Sequence, residues 1–301
     1  MTSLRAATRG SPLARLQTDL VAGLLDLDVE PVVVETTGDR NRDVAIWAMG
    51  GQGVFVKEVQ AAVLEGRADI AVHSAKDLPS TPTEGLVIAA VPERGDPRDA
   101  LVGATIVGLP VGGRVATGSV RRRAQLAYHR PDLTFAGLRG NIETRLRKAA
   151  EFDAVVIAAA SLHRLGRSEV ITELLDPGTF VPQVAQGALA VECRADDEGT
   201  CRALGAIEHE ASRRAVDAER AWLREIGSGC NLPVGAYATV ADHGMVTLTA
   251  VLGTLDGRML LRARGQGDDP HALGSQLAHE LLDAAGGRAL LTELALEARD
   301  A

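Results

Sequence analysis

Aromatic side chains make up only 3% of the 301 residues. Stacking platforms for single-stranded nucleic acid need rings in number, so that class of partner is disfavoured. Positive charge is not in excess either: 32 Lys and Arg stand against 40 Asp and Glu, a formal net charge of -8. A general nucleic-acid binder is usually basic over its binding surface. No stretch approaches the roughly 20 apolar residues of a membrane span. Met1-Thr2-Ser3-Leu4-Arg5-Ala6-Ala7 lacks the apolar run of a signal peptide, and the expectation is a cytoplasmic protein. The three cysteines, Cys193, Cys201 and Cys230, include no C-x-x-C pair and read as free thiols. The seven histidines form no ligand cluster, so no metal is expected.

What is present is a hydrophobic fraction of 46%, carried by Ala, Val, Leu and Ile, and a repeating alternation of short apolar runs with helical stretches. Leu4 to Thr8 reads as a strand. Ser11-Pro12 then reads as a helix start, with the serine as cap and proline in the first turn. Val32-Val33-Val34 reads as a buried strand, Val54 to Leu64 as a helix and Ile70-Ala71-Val72 as the next strand. This grammar predicts a mostly parallel sheet between helices. After a possible hinge at Pro92 to Pro97 it restarts. Arg114 to Thr117 and Leu133 to Ala136 read as strands, each followed by a helix, from Ser119 and from Asn141. Val155-Val156-Ile157 is a further strand. A second crossing near Val181-Pro182-Gln183 would return a strand, Ala188 to Val191, to the first domain. The tail differs: a charged helix from Ser212 to Ile226, three strand-like runs with Asp256-Gly257 as a hairpin turn, and two closing helices. The expected fold class is α/β, with two α/β domains in double crossover plus a small α+β C-terminal domain. The expected boundaries are 1–92 with 187–207, 97–182, and 210–301.

The chemistry concentrates at predicted strand-to-helix turns. Thr117-Gly118-Ser119-Val120-Arg121-Arg122-Arg123 places hydroxyls, free helix N–H groups and guanidiniums together, which suits an anion. Consecutive helical residues point about 100° apart, so the three arginines cannot share one face, and Arg123 is assigned to solvent. Arg139 and Arg145 follow a second such turn, and Arg9 and Ser11 follow the first strand. Ligands of open α/β sheets gather at the carboxyl ends of strands, so these residues are expected to face one crevice. The same residues also read as solvated helix faces and caps. His73-Ser74-Ala75-Lys76-Asp77 ends another strand; Asp77 either stabilises developing positive charge or merely pairs with Lys76 or caps a turn. Gly50 to Phe55 reads as a loop suited to a lid. Cys230, flanked by glycines in Gly227-Ser228-Gly229-Cys230-Asn231, is either a presented thiol or packing.

Taken in order, Ala7-Thr8-Arg9-Gly10-Ser11-Pro12-Leu13-Ala14, Gly53-Val54-Phe55-Val56-Lys57-Glu58, Asp69 to Asp77, Leu138-Arg139-Gly140-Asn141 with Arg145, Gln186-Gly187-Ala188 and Gly229-Cys230 resemble the hydroxymethylbilane synthase, or porphobilinogen deaminase, family. The strings span the first three quarters of the chain; the third domain after Cys230 matches loosely. The resemblance implies two domains like those of a periplasmic binding protein, plus a third. It implies a dipyrromethane cofactor held as a thioether on Cys230, and stepwise condensation of four porphobilinogen units with release of ammonia. Hydrolysis then frees the linear tetrapyrrole. It assigns Asp77 and Lys76 to catalysis, and Ser119, Arg121, Arg122, Thr117, Lys76, Asp77 and Gly187 to the cofactor. Arg9, Ser11, Arg139, Arg145, His73 and Gln186 fall to the substrate. A monomer is expected, with uroporphyrinogen-III synthase as a possible downstream partner. Two departures stand out: Gln52 where many bacterial relatives carry Lys, and Gly118 where relatives often carry Ser. A non-catalytic anion-binding protein would explain the arginines but not Lys76-Asp77 or the glycine-flanked Cys230.

Overall fold

The computed structural model describes residues 3–37, 56–227 and 232–300. Three sheets organise it. The chain begins with strands β1 (Ser3–Arg9) and β2 (Asp28–Val34), joined by helix α1 (Pro12–Leu24). Ser11 caps α1 by accepting from the Ala14 N–H, and Pro12 occupies the first turn, where no N–H partner is needed. Helix α2 (Lys57–Leu64) leads into β3 (Ile70–Ser74) and β4 (Leu86–Ala90). The chain then crosses to a second sheet of β5 (Asp99–Val102), β6 (Arg114–Ala116), β7 (Thr134–Ala136), β8 (Ala154–Ala158) and β9 (Glu173–Leu174). Within that sheet α3 (Val120–His129) follows β6, α4 (Ile142–Lys148) follows β7 and α5 (Ala159–Arg164) follows β8. A second crossing returns β10 (Leu189–Arg194) to the first sheet, whose order is β2-β1-β3-β10-β4.

Each sheet is mostly parallel, as expected, with one strand reversed: β10 runs antiparallel to both β3 and β4, and β5 antiparallel to both β8 and β9. The strands next to the crossings enter in the reverse sense, which local periodicity does not reveal. One expectation needs correction: the run Val32-Val33-Val34 is fully buried only at Val34, because β2 lies at the sheet edge and most of its side chains, Val33 among them, face outward.

The third unit begins after α6 (Glu198–Leu204). Helix α7 (Glu210–Ile226) packs on the meander β11 (Val234–Val240), β12 (Val246–Gly253) and β13 (Leu260–Gly267), with α8 (Pro270–His279) beside it and α9 (Gly287–Asp300) last. Trp222 of α7 is wholly buried among the small and branched side chains of this meander. No helix of the described residues is long and apolar enough to cross a membrane. Cys193 and Cys201 are free thiols with sulfurs 3.3 Å apart.

One buried carboxylate fastens the third unit to the crossings. Glu219 of α7 accepts from Arg94 Nη1 at 2.6 Å, from the Ala185 N–H at 2.6 Å and from the Ala238 N–H at 2.8 Å. Arg94 and Ala185 lie on the two different crossings, and Ala238 is in β11. Breaking a buried pair leaves the partner charge uncompensated, at a cost of roughly 3–5 kcal/mol. Glu219→Ala is therefore expected to lower the urea midpoint followed by circular dichroism. An unchanged midpoint would show that the contact contributes nothing.

Candidate active site

The carboxyl ends of β1 and β3 open onto a recess lined by Arg9, Ser11, Gln17, His73, Ser74 and Asp77, among others. Asp77 sits in the single 3-10 turn that follows β3. Among the described residues its carboxylate makes no side-chain hydrogen bond or ion pair, with Lys76 or otherwise. His73 is buried with Nε2 3.1 Å from Glu192 Oε2, close enough for charge contact although the angle is not that of a hydrogen bond. Glu192 is held in turn by Gln60 Nε2 at 2.8 Å. Burial raises the Glu192 carboxyl, but His73 and Gln60 overcome this and hold it below the ordinary range.

Facing this sheet, Ser119 caps α3 by accepting from the Arg122 N–H at 3.4 Å, and Thr117 Oγ1 accepts from the Ser119 N–H at 3.2 Å. A hydroxyl that accepts one bond still has its own proton to donate, here to a carboxylate. Arg121 and Arg122 are buried, whereas Arg123 is exposed with its guanidinium 5.9 Å from the Phe135 ring centroid. The buried pair is held by a residue that spacing did not single out. Asp99, at the start of β5, accepts from Arg121 Nη1 at 2.7 Å and Arg122 Nε at 2.9 Å. Burial pushes the Asp99 carboxyl up, but the two arginines overcome it and hold it well below the ordinary carboxylate range. The available signal was an acidic residue opening an otherwise apolar strand, Asp99-Ala100-Leu101-Val102.

Arg121 Nε and Nη2 are buried without a hydrogen-bond partner among the described residues. Burial lowers the pKa of this guanidinium. Such donors are costly to leave unmet, and an acceptor arriving from a ligand would meet them. Lys76 is pushed down to about 8, first by burial and then by Arg122, against the opposing pull of Asp77 and Asp99. Arg145 falls to about 10, chiefly through burial, then through repulsion by Arg122 and Arg139, while Asp77 opposes. These mutual influences bring Arg122, Arg139, Arg145 and Asp77 into one electrostatic neighbourhood. Arg145 Nε also donates to Gly140 O at 2.8 Å.

Gly187 serves where the crossings touch. Its φ is +88°, and a Cβ there would stand 2.5 Å from Gly95 O, so any side chain would force the crossings apart. Gly118 is similarly constrained: a Cβ would lie 2.8 Å from Leu138 O, which explains its small residue in terms of close backbone approach. Arg164, which sequence reasoning passed over, donates from Nη2 to Gly187 O at 2.7 Å and drops to about 10 through burial. Gln186 is completely buried between the lobes. Cys230, Gln52 and the glycine loop expected to act as a lid lie outside the described residues. Among those described, no group of His, Cys, Asp and Glu is arranged to hold a metal ion.

Fold and site together define an α/β protein of two lobes joined by a double crossover, with buried cations between them and a carboxylate that has no partner among the described residues. A family model described as porphobilinogen deaminase, dipyromethane cofactor binding domain, matches residues 4–202, and the porphobilinogen deaminase C-terminal domain matches residues 214–283. A porphobilinogen deaminase of Roseiflexus castenholzii is 49% identical over 300 residues, covering 96% of this chain and 98% of the relative. One from Brevibacillus brevis is 44% identical over 296 residues, covering 95% and 96%. The chain belongs to the porphobilinogen deaminase family.

Proposed function

We propose that this chain condenses four porphobilinogen units in turn onto a dipyrromethane primer, releasing ammonia each time, and then frees the linear tetrapyrrole hydroxymethylbilane by hydrolysis. The observation that carries the reading at the level of residues is the imbalance of buried charge. Arg121, Arg122 and Lys76 surround one fully buried carboxylate, Asp99, and among the described residues two donors of Arg121 stay unmet. Pyrroles bearing acetate and propionate groups supply the missing acceptors, so the residues fit the cofactor. Cys230 would hold it as a thioether, with Thr117, Ser119, Arg121, Arg122, Lys76, Asp77 and Gly187 around it. When bound, the dipyrromethane supplies the pyrrole carbon to which the incoming unit is joined.

The protein's part is to bind, orient and stabilise charge. Arg9, Ser11, Arg139 and Arg145 hold carboxylates of porphobilinogen and of the lengthening product, and planar guanidiniums do this bidentately. His73 and Gln186 line the same space. Loss of ammonia leaves positive charge on pyrrole nitrogen. The unpaired Asp77 accepts from that N–H and stabilises the charge in a site shielded from water. Lys76 binds a carboxylate beside it. The division into 1–92 with 187–207, 97–182 and 210–301 assigns these groups to two lobes and the primer's anchor to a third. We take the chain to act as a cytoplasmic monomer that passes its product to uroporphyrinogen-III synthase.

Ammonia release from porphobilinogen, measured with the purified protein, tests the activity; its absence from cofactor-loaded protein would refute it. Within that assay Arg145→Leu is expected to raise KM with little change in kcat. Losing one hydrogen-bonded charge contact costs roughly 1.5–3 kcal/mol, or about ten- to a hundredfold. An unchanged KM would remove Arg145 from the substrate-holding set.

A further inference from the structure

Asp99 reaches further than its two arginines. Gln186 lies on the return crossing between the lobes, and its Nε2 donates to Pro97 O at 2.8 Å and to Asp99 Oδ1 at 2.8 Å. With both amide hydrogens so placed, Oε1 turns toward Lys76 Nζ at 3.4 Å and Arg122 Nη2 at 3.4 Å. A reversed amide would set its NH2 against two cations and its oxygen against a carboxylate, so charge alone selects this orientation. Lys76 follows β3 in the first sheet, whereas Arg121, Arg122 and Asp99 belong to the second.

We propose that Asp99 is a positioning residue that joins the two halves of the carboxylate-holding site, fixing Arg121 and Arg122 directly and Lys76 of the opposite lobe through the Gln186 amide. A single carboxylate orients three cations without neutralising them. The positive excess stays available to a ligand, and the guanidiniums do not have to be reordered when it arrives. The proposal rests on the reading that Lys76 works in the site, and the test separates the two.

The groups facing Lys76 are Arg122, Asp77, Asp99 and Arg121. Removing the Asp99 charge leaves the cations dominant and favours the neutral amine. Holoenzyme carrying Asp99→Asn is therefore expected to lose kcat/KM for porphobilinogen at lower pH than wild type. The alkaline limb should move down by on the order of one pH unit, with KM rising more than kcat falls. Gln186→Met keeps the Asp99–arginine pairs and removes the amide that links Asp99 to Lys76. It should move the limb in the same direction by less, and it decides the matter alone if Asp99→Asn does not fold. The substrate's own titration is common to all variants and cancels in the comparison. Lys76→Gln should lack the limb. If Lys76→Gln lacks it while Asp99→Asn and Gln186→Met keep the wild-type limb, the Asp99 proposal is overturned and the role of Lys76 stands. If Lys76→Gln keeps the wild-type limb, the role of Lys76 falls, and the proposal with it.

Discussion

Asp77→Ala is expected to leave the protein folded and loaded with cofactor while ammonia release from porphobilinogen falls by roughly 10²–10⁴ in kcat. The side chain lines the recess and has no structural bond among the described residues, so removing it breaks no cap and orphans no partner. Its absence matters only when positive charge develops on a pyrrole nitrogen, since among the described residues that line the recess Asp77 is the one acid. Because the effect belongs to the transition state, kcat should fall much more than KM rises. Asp77→Asn should be nearly as slow, since the amide preserves shape and one acceptor but not the charge. A KM effect alone, or loss of folding, would place Asp77 among the binding or structural groups instead. Intact mass and Ehrlich's reagent, applied to the same preparation, show whether the cofactor is present.

Cys230→Ser is expected to yield protein whose intact mass equals that of the chain, with no Ehrlich colour and no activity above background. Only a thiolate nucleophile can make the thioether; a serine hydroxyl at neutral pH is far weaker. A second consequence follows from the electrostatics of the cleft. Without the cofactor's carboxylates, Arg121 keeps donors unmet among the described residues and repels Arg122 and Lys76, an excess of positive charge that Asp99 and Asp77 offset only in part. A ligand that binds only the folded state stabilises it, so the variant should also melt several degrees below wild type. Wild-type protein from a haem-competent host that carried no added mass at Cys230 would defeat the assignment of that cysteine. Equal melting temperatures would show instead that the cations are satisfied without the primer.

Local chemistry made some of this legible in the sequence. Ser11, Ser119 and Asn141 are cap residues whose side chains accept from N–H groups three positions on, an interaction contained within one turn. The separation of Arg123 from Arg121 and Arg122 follows from helical geometry, given that one face of α3 is buried. The Asp256-Gly257 turn between β12 and β13 is likewise decided within a few residues. Asp99 was not legible, because its partners lie 22, 23 and 87 positions away. Glu192 opposite His73 and Glu219 between the crossings are acids inside apolar or amphipathic stretches, where pattern alone gives no partner. The exposure of Val33 depended on which strand ended at the sheet edge.

The chain's order of residues by itself determined the α/β alternation, the helix starts and the strings that place it in its family, since each rests on contacts or spacings within a short segment. Tertiary structure decided which cations share a carboxylate, which acid remains unpaired and which way the crossing strands run. Those outcomes depend on segments far apart in the chain meeting in a low-dielectric interior, where an unmatched charge is costly and the arrangement of neighbours sets its state.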